Sequence, residues 1–288
     1  MLSAIDSCIP GLFHQRGESF TPSEYARRPW PGGGINGAAL SGLMAHIAER
    51  NTSVDMIPSQ FNANFLRRAE YTQTQYRATE LHRTGTSCLS TVDLLQEGET
   101  VAHASIRWLK PVISRTGRNV RSASPAWSAS YDNLTAPDSH PGLPSPPWFR
   151  SEGYCDWSPD WGEHQNPGRK SMWHYLIPVV DNSGDLTRFD RTAALADSAS
   201  LVSNWGHDGV EFMNVNVCMS LSRIPTSDCM GMVSAGQIMN NGMSVGSAIL
   251  FDELGALGHV TVNAVENKVG RFEVGKTAIV NSKADAAD

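Results

Sequence analysis

"RPWPGGGINGAALSGLMAHIAER", residues 28–50, carries Gly32, Gly34 and Gly37 in the G-x-G-x-x-G spacing of a dinucleotide site. That spacing holds a pyrophosphate only where an apolar strand runs straight into the glycines and a helix leaves them. Here Arg27, Arg28, Pro29, Trp30 and Pro31 precede the glycines, and two prolines among arginines make a poor buried parallel strand. The acidic residue near the expected distance, Asp55, stands before Met56, Ile57 and Pro58 rather than at the end of an apolar strand. The residues after the glycines read more clearly, because Ile35, Ala38, Ala39, Leu43, Ala45, Ile47 and Ala48 fit a largely buried helix. The stretch is therefore a glycine-rich turn opening a small-residue helix, with Asn36 in the position of a cap.

Four strand-like runs come next: "QFNANFLRRA" (60–69), "TQYRATELHR" (74–83), "SCLSTVDLLQEGE" (87–99) and "TVAHASIRWLK" (100–110). Gly85 and the Glu97-Gly98 turn separate them, which predicts antiparallel hairpins. The second half repeats this order. "RTAALADSASLVSNWG" (191–206) reads as a helix, and "NVNVCMSLSRIP" (214–225), "GMVSAGQIMN" (231–240), "SVGSAILFDELG" (244–255) and "ALGHVTVNAVE" (256–266) read as strands. Gly85 and Gly242 stand 242 − 85 = 157 apart, as do the turn glycines Gly98 and Gly255, while Arg67 and Arg223 stand 156 apart. A nearly constant offset over three landmarks points to a tandem duplication.

Between the copies, residues 124–168 are dense in Pro, Ser, Gly and Trp and predict an irregular, extended linker. Its four tryptophans, Trp127, Trp148, Trp157 and Trp161, are unusual for a solvated linker and are expected to pin it against the two halves.

The chain has 288 residues, 40% of them hydrophobic, enough for two modest cores or one large one. A net charge of −6 and the lack of a basic stripe argue against nucleic acid as a partner. No apolar run approaches a membrane span, and the N-terminus, interrupted by Asp6 and Pro10, does not read as a secretory signal. Cys8, Cys88, Cys155, Cys218 and Cys229 are widely spaced and odd in number, which suggests reduced thiols in a cytoplasmic protein and neither a metal site nor a disulfide framework.

A helix beside an antiparallel meander, present twice, is the layout of the double hotdog, and the residues match a family. "PWPGGGINGAALSGLMAHIAE" with "FNANFLRRAEYTQTQYRATELHRTGTSCLSTVDLLQEGETVAHASIRW" resembles the N-terminal hotdog of the acyl-CoA thioesterase II-like proteins. In that family a GG-x-x-x-G helix start precedes a strand ending in F-L-R-P. "ALADSASLVSNW", "NVNVCMSLSRIP" and "SAILFDELGALGHVTVNAVEN" resemble its C-terminal hotdog. Residues of about 20–112 and 170–272 are covered. The resemblance implies an α+β fold of two tandem copies, each a long helix wrapped by an antiparallel sheet. It divides the chain into an N-terminal hotdog (1–115), a Pro- and Trp-rich linker (116–168) and a C-terminal hotdog (169–288).

The resemblance also implies a water-positioning set: an Asp on the second helix, a Thr on the next strand and a Gln on the last. Asp197, in "LADS", matches the Asp. Counting back from Arg223 puts Asn214 where the family has Thr, with Asn216 two residues on, and counting forward from Gly255 puts Asn263 where it has Gln. An Asp inside a packed helix calls for a reason; strand asparagines also pair with neighbouring backbone. At the first helix, Gly33, Gly34 and Asn36 would present backbone N–H groups to an acyl carbonyl, and the small residues Ala38, Ala39, Gly42 and Ala199 would leave room for the acyl chain.

These expectations favour hydrolysis of an acyl thioester, carried by coenzyme A or a carrier protein, with Asp197 as general base on water and no metal or organic cofactor. Two of the three identities depart from the family, which keeps open a non-hydrolytic hotdog enzyme, an isomerase or cyclase acting on a hydrophobic intermediate of secondary-metabolite biosynthesis, and a binding protein without catalysis. Dehydration would need an H-x-x-x-G-x-x-x-x-P stretch, which is missing; His46, the nearest candidate, is expected to pack. Serine hydrolysis lacks its G-x-S-x-G elbow. The paired hotdogs could complete a monomer, and their sheet edges could also build a homodimer.

Overall fold

The computed structural model describes residues 10–29, 33–52, 55–111, 145–181 and 187–267. Trp30, Pro31, Gly32, Trp127 and most of the expected linker lie outside them. A hairpin, β1 (Phe13–Arg16) and β2 (Ser19–Pro22), leads to helix α1 (Gly37–Arg50) and then to β3 (Ile57–Phe65), β4 (Thr74–Arg83), β5 (Ser87–Gln96) and β6 (Glu99–Leu109). After the interval come β7 (Trp148–Ser151), β8 (Cys155–Ser158) and β9 (Lys170–Tyr175). The second copy begins with two short helices, α2 (Phe189–Asp197) and α3 (Ala199–Asn204). A small hairpin, β10 (Trp205–Gly206) and β11 (Gly209–Val210), precedes β12 (Phe212–Asn214), β13 (Asn216–Leu221), β14 (Cys229–Asn240), β15 (Met243–Asp252) and β16 (Gly255–Glu266).

Apart from the β10–β11 pair, the strands join in one antiparallel sheet ordered β1-β2-β4-β5-β6-β3-β13-β16-β15-β14-β9-β7-β8, with β12 beside the end of β16. This order is palindromic about the β3–β13 seam: β4-β5-β6-β3 meets β13-β16-β15-β14 as its mirror. The seam pairs Ala63 with Val217 and Phe61 with Met219, all buried, so the two copies share one core. The predicted turns hold, with Glu97-Gly98 and Asn241-Gly242 both at positive φ, as two-residue hairpins of right-handed twist require.

Helix α1 is buried without interruption from Ala39 to Ala48, because the sheet wraps one side of it and α2 covers the other. At their crossing a Cβ on Gly42 would lie 2.9 Å from Val179 Cγ2 and 3.1 Å from Ala194 Cβ. Gly42 thus serves close helix packing, and of the four small residues expected to make room for a ligand, Ala38 alone lines the cavity described below. The expectation of one long helix per copy fails in the second copy. There Ser198 N–H bonds to Leu195 O, three residues back, and the chain re-enters a separate short helix.

The expected irregular linker is strand over residues 148–151 and 155–158. Backbone pairing of β7 with β9 extends the second half of the sheet, Phe149 is fully buried, and Trp157 packs against the outer cluster of Trp173 and Phe251. Trp161 meets Phe149 at 5.3 Å and Trp205 at 6.0 Å between ring centroids.

Candidate active site

Asp197 ends α2 and points at the start of α1. A Cβ on Gly37 would lie 2.7 Å from Asp197 Oδ1 and 2.8 Å from Oδ2, so only glycine fits there. Asn36 caps α1 by accepting from Ala39 N–H at 2.6 Å, and its amide nitrogen donates to Arg27 O at 3.3 Å. The next two amides, Gly37 and Ala38, have no hydrogen-bond partner among the described residues and stand at the positive end of the helix dipole. From the second copy, Asn214 donates to Asp197 Oδ1 at 2.8 Å. The site therefore straddles the two copies.

Burial pushes the Asp197 carboxyl up to about 6, against the opposing pull of the Asn214 hydrogen bond and the Arg28 guanidinium. Burial and Arg68 in turn hold Arg28 below its ordinary value. A carboxylate that titrates near neutrality beside unpaired amides is the environment of a general base.

These groups open onto a cavity of about 640 Å³. Asn36, Gly37, Ala38, Asp197 and Asn214 stand in one wall; Leu12, Leu40, Met172, Leu176, Leu201 and Trp161 supply much of the apolar lining. Arg67 and Arg68, both exposed, and the half-buried Arg28 also line it. Trp161 is thus an aromatic wall residue as well as a packing anchor.

The remaining expected residues lie elsewhere. Asn263 is exposed on the outer face of the sheet, where its N–H and side-chain amide donate to Asn216 Oδ1 at 2.7 and 3.2 Å. Neither Asn216 nor Asn263 lines the cavity. Beyond a bulge at Leu257, β16 turns Val260, Val262 and Ala264 inward and Thr261 and Asn263 outward. The cross-strand partner of Asn214 is Ala264, so β16 brings no polar side chain beside it. Gly33 and Gly34 adopt positive φ and do not line the cavity; a Cβ on Gly34 would meet Ala69 O at 2.5 Å. Their conformation sets the entry to α1, and the amides left without a partner at the cavity belong to Gly37 and Ala38 instead.

At the other end of the α1–α2 contact, Glu49, one residue before the end of α1, accepts at Oε1 from Thr187 N–H at 3.1 Å and from the Thr187 hydroxyl, just before α2. His46 Nδ1, fully buried, meets Asp190 Oδ2 at 3.1 Å, so His46 packs as expected. Burial raises Glu49 to about 7. Here the acid ties the helices together, and it does not line the cavity at Asp197. Two cavity residues, His174 and Arg28, escaped the sequence reading, because nothing in a local pattern marks a lone strand histidine or an arginine that precedes a glycine turn.

Residues 26–109 match the family model described as acyl-CoA thioesterase N-terminal domain. Among solved structures, the chain is similar to a conserved hot dog fold protein of unknown function from Alicyclobacillus acidocaldarius, at 14% identity over 88% of this chain and 95% of that one, with a TM-score of 0.58. A tesB protein of Mycobacterium avium subsp. paratuberculosis is similar at 15% identity over the same shares, with a TM-score of 0.56. An acyl-CoA thioesterase II, TesB2, of Mycobacterium marinum is similar at 13% identity, also over 88% and 95%, with a TM-score of 0.54. At such identities the likeness establishes the hotdog fold. No curated protein sequence matches the chain. The resemblance to acyl-CoA thioesterase II-like double hotdog proteins, read from the residues, is borne out.

Proposed function

From the premise that the first copy is a hotdog of the acyl-CoA thioesterase type, we propose that the chain hydrolyses an acyl thioester with Asp197 as general base. One observation carries this reading: an acid that titrates near 6 in the second copy lies against the unpaired helix amides of the first, at one cavity. Ionised Asp197 takes a proton from water as the oxygen attacks the thioester carbon. The carbonyl oxygen gains negative charge facing Gly37 and Ala38 N–H, and preorganised donors of this kind are worth roughly 3 kcal/mol each. Collapse of the tetrahedral intermediate breaks the C–S bond, the thiolate leaves and takes up a proton, and the acid product forms. Asn214 fixes the carboxylate by its hydrogen bond.

The cavity fits the substrate class. Its apolar lining suits an acyl chain, and Arg28, Arg67 and Arg68 suit the phosphates shared by coenzyme A and a carrier-protein pantetheine arm. In this reading the copies divide at 1–115 and 169–288, and β7 and β8 attach the end of the intervening segment to the second half of the sheet.

The test is thiol release from a panel of acyl-CoA thioesters of increasing chain length, wild type beside Asp197→Ala. Release that depends on chain length and disappears in the variant supports hydrolysis. Ala264 in place of a polar residue beside Asn214 favours a second reading, isomerisation or ring closure promoted by the same carboxylate. A folded protein that releases no thiol from any thioester would abandon hydrolysis for that chemistry.

A further inference from the structure

Outside the cavity, β7, β8 and the short helical turn Trp161–His164 bring three different donor types together. Cys155 Sγ, a Glu163 carboxylate oxygen and a His164 ring nitrogen all lie within 4.8 Å of one another. Cys155 Sγ is 3.7 Å from Glu163 Oε2. The His164 ring is fully buried and fixed through both nitrogens. Its Nε2 is 3.2 Å from Ser158 O, a pure acceptor, so Nε2 carries the proton and Nδ1 keeps its lone pair. Nδ1 accepts from the Ser151 hydroxyl at 3.0 Å, and Ser151 is the cross-strand partner of Cys155, so the lone pair faces the strand of the cysteine. A ring N–H given to a backbone carbonyl is the contact that orients a metal-binding histidine. Cys155 is half-buried and Glu163 exposed, which leaves an entry path. Burial first, and then the negative charges of Glu163, Asp156 and Asp160, hold the Cys155 thiol above its ordinary value. Asp156 also pairs with Arg150 at 3.5 Å, and the Lys170 ammonium is the positive charge that faces His164.

We propose that Cys155, Glu163 and His164 form a zinc site that ties β8 to the turn carrying Trp161. A thiolate, an imidazole and a carboxylate together are a donor set for zinc, whereas calcium and magnesium take oxygen ligands. On binding, the thiol gives its proton to solvent. The sulfur, Nδ1 and one Glu163 oxygen then each donate a lone pair to the ion, and water takes the fourth position. The Ser151 hydroxyl yields Nδ1 by turning about its own C–O bond. Zinc bonds of about 2.0–2.3 Å draw the donors together by roughly an ångström, a shift open to the exposed Glu163 side chain. None of the three ligands lines the cavity, but Trp161, at the start of the same turn, does. The ion therefore steadies a wall of the cavity and does not act on the substrate, and the site stands apart from the hydrolase reading. Cysteine spacing hid it, because a single cysteine contributes.

The test uses the full chain, reduced, stripped with a chelator and dialysed. Zinc titrated in competition with a chromophoric chelator is expected to bind at one ion per chain, and cobalt(II) in its place to give the charge-transfer band of a metal thiolate. Cys155→Ser should abolish that band and weaken zinc by more than the ~10–100-fold that an outer-shell partner is worth, and Glu163→Gln should weaken it by about tenfold or more. Zinc should raise the melting temperature of wild type and leave that of Cys155→Ser unchanged. The serine is close in size to the cysteine and Glu163 is exposed, so melting in the absence of zinc checks that both variants fold. Failure of wild type to bind zinc overturns the site. So does zinc held equally by wild type and both variants, which would place the ion elsewhere on the chain, and so does cobalt bound without a thiolate band. These wild-type readings stand even if a variant does not fold.

Discussion

A methyl group on Gly37 would have to share space with the Asp197 carboxylate, whose three terminal atoms lie 2.7 to 2.9 Å from that position. Gly37→Ala is expected to lower kcat/KM by about 10²-fold, the cost of displacing a reacting group by around an ångström. Comparing its melting temperature with wild type separates displacement from unfolding. Asp197 must be ionised to act, so kcat/KM should rise with pH through about 6 and level off above. Asn214→Ala removes a donor that favours the ionised form, and the limb should move to higher pH. The same burial has a stability consequence. The folded value lies above the ordinary value of 3.8, so between these two pH values the folded state holds more protons and stability falls as pH rises. Asp197→Asn should therefore be more stable than wild type at pH 7, by about 1–3 kcal/mol, in urea unfolding, while losing activity. A variant as pH-dependent as wild type would refute this. Asp197 and Asn214 were legible because helix and strand landmarks fix them. Asn263 was not, because counting forward from Gly255 crosses the bulge at Leu257, and one extra residue turns every later side chain to the other face.

Among the elements, the strands were the most legible. Alternation and paired turn residues placed β4 at its observed limits, β14 and β16 within two residues and β15 within three. The second helix was misread as continuous, since small residues and serines suit a buried helix and its breaks equally well. Strands β7 and β8 were hidden by a composition of Pro, Gly and Trp that signals irregular chain, although backbone pairing to β9 overrides it. The α1–α2 contact supplies a prediction at this scale. Glu49 titrates near 7 when folded and near 4.5 otherwise, so its contribution to stability falls as pH rises through that window. Glu49→Gln keeps an acceptor for Thr187 and removes the charge. The variant should lose part of the stability decline between pH 4.5 and 7, and an unaltered slope would show that Glu49 does not cause it.

At the scale of the molecule, the duplication was legible from three spacings alone, and the hotdog architecture followed. What no spacing could show is that the copies meet strand to strand, β3 against β13, to make one uninterrupted sheet. Val217 stands in the middle of that seam, fully buried and paired with Ala63. Val217→Pro would remove a ladder donor from a central strand and is expected to cost about 1–3 kcal/mol through the buried acceptor left unpaired. Its urea transition should move as a single step across both copies, whereas two separate transitions would mean that each copy folds for itself.

In a symmetric pair of identical chains, any substitution strikes twice, so a change that ruins one acidic corner ruins both. Joining the near-mirror copies in one polypeptide releases that constraint. The Glu49 end of the α1–α2 contact is a clasp between helices, while the Asp197 end keeps an open cavity. A single chain can thus hold one tied corner and one open corner, each free to vary without a matching change in the other.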